Sequence, residues 1–149
     1  MYYIAYGSNL HKQQMARRCP GSVPVGKGYL EGWELVYRGS KTGSYATLIR
    51  NPEKKTPIGI WKINRKNELN LDRYEGYPVF YQKYDVLFTL DDKEVEGMIY
   101  LMRPDAKVGR PSELYVRTLR QGYADFGFDI KYLSESLRTN SKEVLEVGL

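Results

Sequence analysis

Apolar and polar positions fall in short blocks along this chain, and the blocks set the expected elements. Residues 2–6, Tyr2-Tyr3-Ile4-Ala5-Tyr6, form an apolar run of strand length. Residues 10–18 are predicted as a short helix, ended by Cys19-Pro20-Gly21. Gly28 to Arg38 is a strand with several glycines and aromatics, and 39–44 is a Gly/Ser turn. Tyr45 to Ile49 and Pro57 to Ile63 are predicted as two further strands. Asn64 caps a helix that Gly76 ends in a left-handed conformation, and Pro78 prevents its continuation. Strands Val79–Leu90 and Val95–Leu101 are joined by a turn at Asp91-Asp92-Lys93. From Ser112 the apolar residues Tyr115, Leu119, Tyr123 and Phe126 recur at helical spacing up to Gly127. An amphipathic piece, Ile130 to Leu137, follows.

Strands cluster here instead of alternating with helices, which argues against a doubly wound parallel sheet. The expected fold class is α+β: a small mixed, strongly curved β-sheet or barrel with helices around it, in a single domain spanning 1–149. Glycines at 26, 28, 32, 59 and 97 suit the bends and bulges of such a sheet. With 149 residues, 42% of them apolar, the chain can bury a core. No apolar run has the length of a bilayer span, and one cysteine, Cys19, cannot form an internal disulfide. A cytoplasmic location is expected. The net charge of +5 is spread over pairs such as Arg17-Arg18, Lys54-Lys55 and Arg65-Lys66. Without a basic block this is a solvated mixed surface, and no nucleic-acid partner is expected.

Two segments carry candidate chemistry. Tyr6-Gly7-Ser8-Asn9-Leu10 closes the first strand. A strand-to-helix junction of this kind points backbone N–H groups at one spot, where a carboxylate or oxyanion can sit. The plainer alternative is a strand exit with a helix cap. Glu75 lies at a helix tip among Tyr74, Tyr77, Pro78, Phe80 and Tyr81. Facing inward, an aromatic wall would desolvate it and raise its pKa, as a general base needs; facing outward, it is a surface carboxylate. His11 has no evident acidic orienter, so a Ser-His-acid triad with Ser8 is not expected. One His and one Cys are too few for a zinc site, and no phosphate-binding glycine loop follows a strand.

The joint pattern is more specific than its parts. Tyr6-Gly7-Ser8-Asn9-Leu10, Trp33, Ala46-Thr47-Leu48, Gly59-Ile60-Trp61-Lys62-Ile63, Leu71-Asp72-Arg73-Tyr74-Glu75-Gly76-Tyr77-Pro78, Tyr81 and Pro111-Ser112-Glu113-Leu114-Tyr115 with Gly122 follow in that order. Over residues 2–128 this resembles the γ-glutamylcyclotransferase-like family. The resemblance implies a cofactor-independent enzyme without a metal, acting on a small-molecule γ-glutamyl substrate to give 5-oxoproline. It implies Glu75 as the catalytic acid/base, and Tyr6, Gly7, Ser8, Asn9 and Leu10 as the substrate loop, working largely through backbone amides. Tyr115 stands where the family places a substrate-contacting tyrosine, with Tyr81 and Tyr123 as rivals. The leaving amine and the oligomeric state stay open. A non-catalytic module binding a small acidic ligand or a protein partner is the alternative on the same fold.

Overall fold

Four β-branched or aromatic stretches long enough to pair, and a short apolar N-terminus to seat between them, build one five-stranded sheet. The computed structural model describes all 149 residues. Its strands are β1 (Tyr2–Ala5), β2 (Val23–Arg38), β3 (Tyr45–Lys62), β4 (Tyr81–Leu90) and β5 (Lys93–Met102). The helices are α1 (Lys12–Arg18), α2 (Arg65–Tyr74), α3 (Glu113–Phe126) and α4 (Lys131–Glu146), with a single 3-10 turn at Ser8–Leu10. The strand order is β2-β3-β1-β5-β4, with β1 parallel to β5 and every other neighbour antiparallel. This is the expected mixed α+β architecture.

The sheet curls where the β2–β3 register shifts twice: β2 carries one extra residue between Pro24 and Gly26, and β3 carries the excess, residues 51–54, opposite Gly32 between Glu31 and Trp33. Bulges bend a strand and deepen its twist. Gly32, with φ +82°, supplies a left-handed backbone at the second bulge. The curl brings the edge strands together: a Cβ on Gly26 would stand 2.6 Å from Leu90 Cδ1 of β4. Inside lie Ile4, Ile58, Ile60, Ile99 and Leu119, each at most 1% exposed.

Several sequence-based boundaries move. The two strands expected at 45–49 and 57–63 are one continuous strand, β3; its residues 51–54 find no partner opposite Gly32, so an irregular bend replaces a loop. β2 begins at Val23, five residues before the expected Gly28, because Val23 and Pro24 pair with Lys62 and Trp61. The first helix starts after the turn, and His11 is its N-cap: Nδ1 accepts from Gln14 N at 3.1 Å. His11 is half-buried and stands just before the helix as its cap. The last helix runs nine residues past Leu137, to Glu146. Its far end is held by polar partners that periodicity of apolar residues does not count. Asn140 Nδ2 donates to Gly109 O at 2.9 Å, and Glu143 pairs with Arg38 at 3.0 Å.

Candidate active site

β1 ends in the centre of the sheet, so its exit is surrounded on every side. Gly7 starts the 3-10 turn (φ −121°, ψ −132°), and no side chain caps it. The turn closes on itself through Leu10 N to Gly7 O (3.0 Å) and His11 N to Ser8 O (3.1 Å). The amides at the front of such a turn lack an intrahelical acceptor, which leaves them to a ligand. Asn9 O accepts from Trp61 Nε1 at 3.1 Å, pinning the turn to β3. Leu10 does not reach the cavity. Its side chain is fully buried beneath α3, where a Cβ on Gly122 would lie 2.6 Å from Leu10 Cβ. Its part is to anchor the turn, and Gly122 permits that close approach.

Glu75 is delivered by α2. A reciprocal capping box, Asn64 with Asn67, opens this helix, and Gly76 (φ +62°) closes it just after Glu75. Polar clamps fix the helix on the sheet. Lys83 of β4 reaches Glu68 at 2.9 Å and Asp72 at 2.8 Å, and Tyr100 OH of β5 donates to Asp72 at 2.6 Å. Asn70 Nδ2 donates to Arg18 O at 3.1 Å, tying α2 to the end of α1.

The two candidate segments meet. Asn9 Nδ2 donates to Glu75 Oε1 at 3.2 Å and to Tyr3 OH at 2.9 Å. Asn9 Oδ1 accepts from Arg18 NH1 at 2.8 Å, which settles which way the amide points, since a guanidinium can only donate. Burial is the largest influence on Glu75 and raises its pKa from 4.5 to about 7, against the opposing pull of the Arg18 cation and the Asn9 hydrogen bond. A carboxyl at that value exchanges its proton near neutral pH.

Glu75, Tyr6, Gly7, Ser8, Asn9 and Tyr115 line an inner recess of about 30 Å³. This recess adjoins an outer cavity of about 410 Å³ that shares Ser8, Glu75, Tyr81 and Tyr115 with it. The Tyr115 hydroxyl accepts from Ala46 N at 3.0 Å and lies 3.4 Å from where a Cβ on Gly7 would be. Burial raises its pKa, so at neutral pH it keeps a proton to donate. The rival tyrosines are placed differently. Tyr81 lines both cavities, but its hydroxyl is spent on Ala46 O at 2.6 Å. Tyr123 is buried against Phe128, away from the recess. The Tyr6 hydroxyl donates to Tyr100 O at 2.5 Å, so Tyr6 offers the recess its ring. No three His, Cys, Asp or Glu side chains gather as a metal site would require.

Sequence reasoning missed Arg18, which orients Asn9 and acts on Glu75 from the outer cavity. Its sequence signal was its place at the end of the helix attached to the turn. Only the docking of α2 beside that end gives the position meaning.

A curled mixed sheet with a polar recess where its first strand ends defines a γ-glutamyl cyclotransferase-type fold. A solved structure of a gamma-glutamyl cyclotransferase superposes with a TM-score of 0.81 at 25% identity, covering 91% of this chain and 85% of that one. An uncharacterised human protein superposes at 0.80 with 28% identity, covering 90% and 84%. In sequence, the family described as gamma-glutamyl cyclotransferase, AIG2-like, matches residues 3–119. The chain belongs to that family and is an enzyme of the cyclotransferase class. The gamma-glutamylcyclotransferases of Bos taurus and Homo sapiens are each 29% identical to it, over 139 and 142 residues, or 87% of this chain and 73% of theirs. No helix is long and apolar enough to cross a membrane.

Proposed function

We propose that this enzyme cyclises γ-glutamyl amides, releasing 5-oxoproline and a free amine, with Glu75 as the general acid–base. The γ-glutamyl group carries its own nucleophile. Its α-nitrogen forms a bond to the γ-carbonyl carbon, and the bond from that carbon to the leaving nitrogen breaks. Holding the group folded supplies the proximity that makes this ring closure fast. Glu75 takes a proton from the α-ammonium and delivers it to the leaving nitrogen, and the second proton that the α-nitrogen loses as the lactam forms ends on the released amine as its ammonium. The front amides of the Gly7–Asn9 turn and the Tyr115 hydroxyl stabilise charge on the substrate's oxygens. Tyr6 shapes the recess, and Leu10 acts from beneath by holding the turn. We place the enzyme in the cytoplasm, acting as one domain, with Cys19 a buried thiol whose pKa is raised to about 11 by burial.

One observation carries this reading: a carboxyl with its pKa near 7 shares a recess with a turn whose leading amides are free of intrahelical bonds. The test is release of 5-oxoproline from a panel of γ-glutamyl amino acids and γ-glutamyl amines. Turnover on at least one substrate, abolished in Glu75→Gln, is expected. Binding of γ-glutamyl compounds without any 5-oxoproline would overturn the reading in favour of a binding module.

A further inference from the structure

Five tyrosines line the inner recess: Tyr3, Tyr6, Tyr81, Tyr100 and Tyr115. A phenol hydroxyl has one proton to donate, and a buried one without an acceptor for that proton is costly. Three of the five have spent it on the protein. Tyr6 donates to Tyr100 O, Tyr81 to Ala46 O and Tyr100 to Asp72 Oδ1. Tyr115 and Tyr3 have not. Each only accepts, Tyr115 from Ala46 N at 3.0 Å and Tyr3 from Asn9 Nδ2 at 2.9 Å. Tyr115 already has a place in the reaction; Tyr3 has none.

The direction of the Tyr3 bond is fixed from outside the recess. Arg18 can only donate, so it holds Asn9 Oδ1 and turns Asn9 Nδ2 toward both Glu75 Oε1 and the Tyr3 hydroxyl. The Tyr3 oxygen receives a hydrogen and keeps its own proton for another acceptor. Receiving one hydrogen bond also strengthens a hydroxyl as a donor. Tyr3 is 4% exposed, so that acceptor must come from the recess. Burial first, then the Glu75 carboxylate, hold its pKa well above the ordinary value, and the proton stays in place while Glu75 titrates. Because one amide nitrogen bonds both groups, this donor and the base stand side by side, on the scale of a single γ-glutamyl head.

We infer that Tyr3 is a further substrate-binding residue, whose hydroxyl donates a hydrogen bond to an oxygen of the γ-glutamyl head beside the α-nitrogen on which Glu75 acts. This rests on the cyclotransferase reading above.

Tyr3→Phe removes the hydroxyl and keeps the ring, with its edge-on contact to Tyr100 at 5.9 Å between centres; circular dichroism checks the fold. Losing a hydrogen bond to a charged oxygen should lower kcat/KM about ten- to a hundredfold. Burial, Arg18 and Asn9 set the Glu75 pKa, so the acidic limb of the pH profile should stay near 7. A loss under about threefold would overturn the inference. So would a loss that comes with the limb moved to higher pH, since Tyr3 would then act only by bracing Asn9 against Glu75. Calorimetry separates this claim from the reaction itself, with a γ-glutamyl amino acid added to Glu75→Gln and to Glu75→Gln/Tyr3→Phe. If the wild type releases no 5-oxoproline, the cyclotransferase reading falls. In that case weaker binding by the double variant upholds the Tyr3 contact, and equal binding refutes it.

Discussion

Replacing Glu75 with Gln should stabilise the protein while stopping the reaction, and the stabilisation should depend on pH. In the unfolded chain this carboxyl titrates near its ordinary 4.5, and in the folded protein near 7, because burial disfavours the anion more than Arg18 and Asn9 favour it. Between those values the folded state holds a proton that the unfolded state has lost. Stability therefore falls as pH rises through that window. The separation corresponds to about 3 kcal/mol, an upper bound because Glu75 is part-exposed at the cavity. Gln has the same size, still accepts from Asn9, and has no charge to desolvate. The variant and the wild type should match near pH 4.5, then diverge, with the variant ahead by about 1–3 kcal/mol at pH 8. For a chain of this size that is a gain in Tm of roughly 2–10 °C. Thermal unfolding followed by circular dichroism from pH 4.5 to 8.5 measures this directly, and titrations of other groups cancel in the difference. Over the same range the variant should lose about 10² to 10⁴ in kcat, and wild-type kcat/KM should rise as pH passes through about 7, where Glu75 becomes a base. Parallel stability curves, or a variant that is less stable at pH 8, would refute the claim that burial dominates at Glu75.

Arg18→Met removes a cation that lowers the Glu75 pKa, so the acidic limb of the kcat/KM profile should move to higher pH; an unmoved limb would show that Arg18 does not act on the base. Gly7→Val puts a branched side chain on the turn backbone, where φ is −121° and ψ −132°, and circular dichroism checks that the variant folds. Its Cβ would already stand 3.3 Å from Ala46 Cβ and 3.4 Å from the Tyr115 hydroxyl, so KM should rise at least tenfold, and an unchanged KM would show the turn to be merely structural. Lys83→Met leaves Glu68 and Asp72 facing each other without their shared cation. Urea unfolding should show a loss of about 2–4 kcal/mol, and kcat should fall as α2 loosens; a loss below about 0.5 kcal/mol would mean the clamp is not what seats this helix.

Local patterns were enough for much of this molecule. The turn at Asp91-Asp92, whose two positive φ values make a tight hairpin, the glycine stops at Gly76 and Gly127, and the buried face of α3 all follow from rules that act over a few residues. The identity of the Tyr6–Leu10 and Leu71–Pro78 segments also pointed to the right family, since their chemistry is written in contiguous residues. Elements held by distant partners were not legible. The end of α4 depends on Asn140 finding Gly109 O, and the unbroken run of β3 depends on β2 pairing with it on both sides of residues 51–54.

The candidate site divides along the same line. Sequence alone determined its ingredients: a turn with spare amides, a carboxylate beside a helix stop, and aromatic neighbours. Whether Glu75 is buried or a surface group was beyond it, because burial is a property of packing between segments 66 residues apart. The tertiary structure decided it by clamping α2 through Lys83 and Tyr100, which turns Glu75 onto Asn9. It also moved Leu10 from the substrate to the core, and made Arg18 a partner of Asn9 instead of half of a surface pair. Charge and side-chain type are fixed residue by residue, but desolvation and orientation exist only once distant segments share one space.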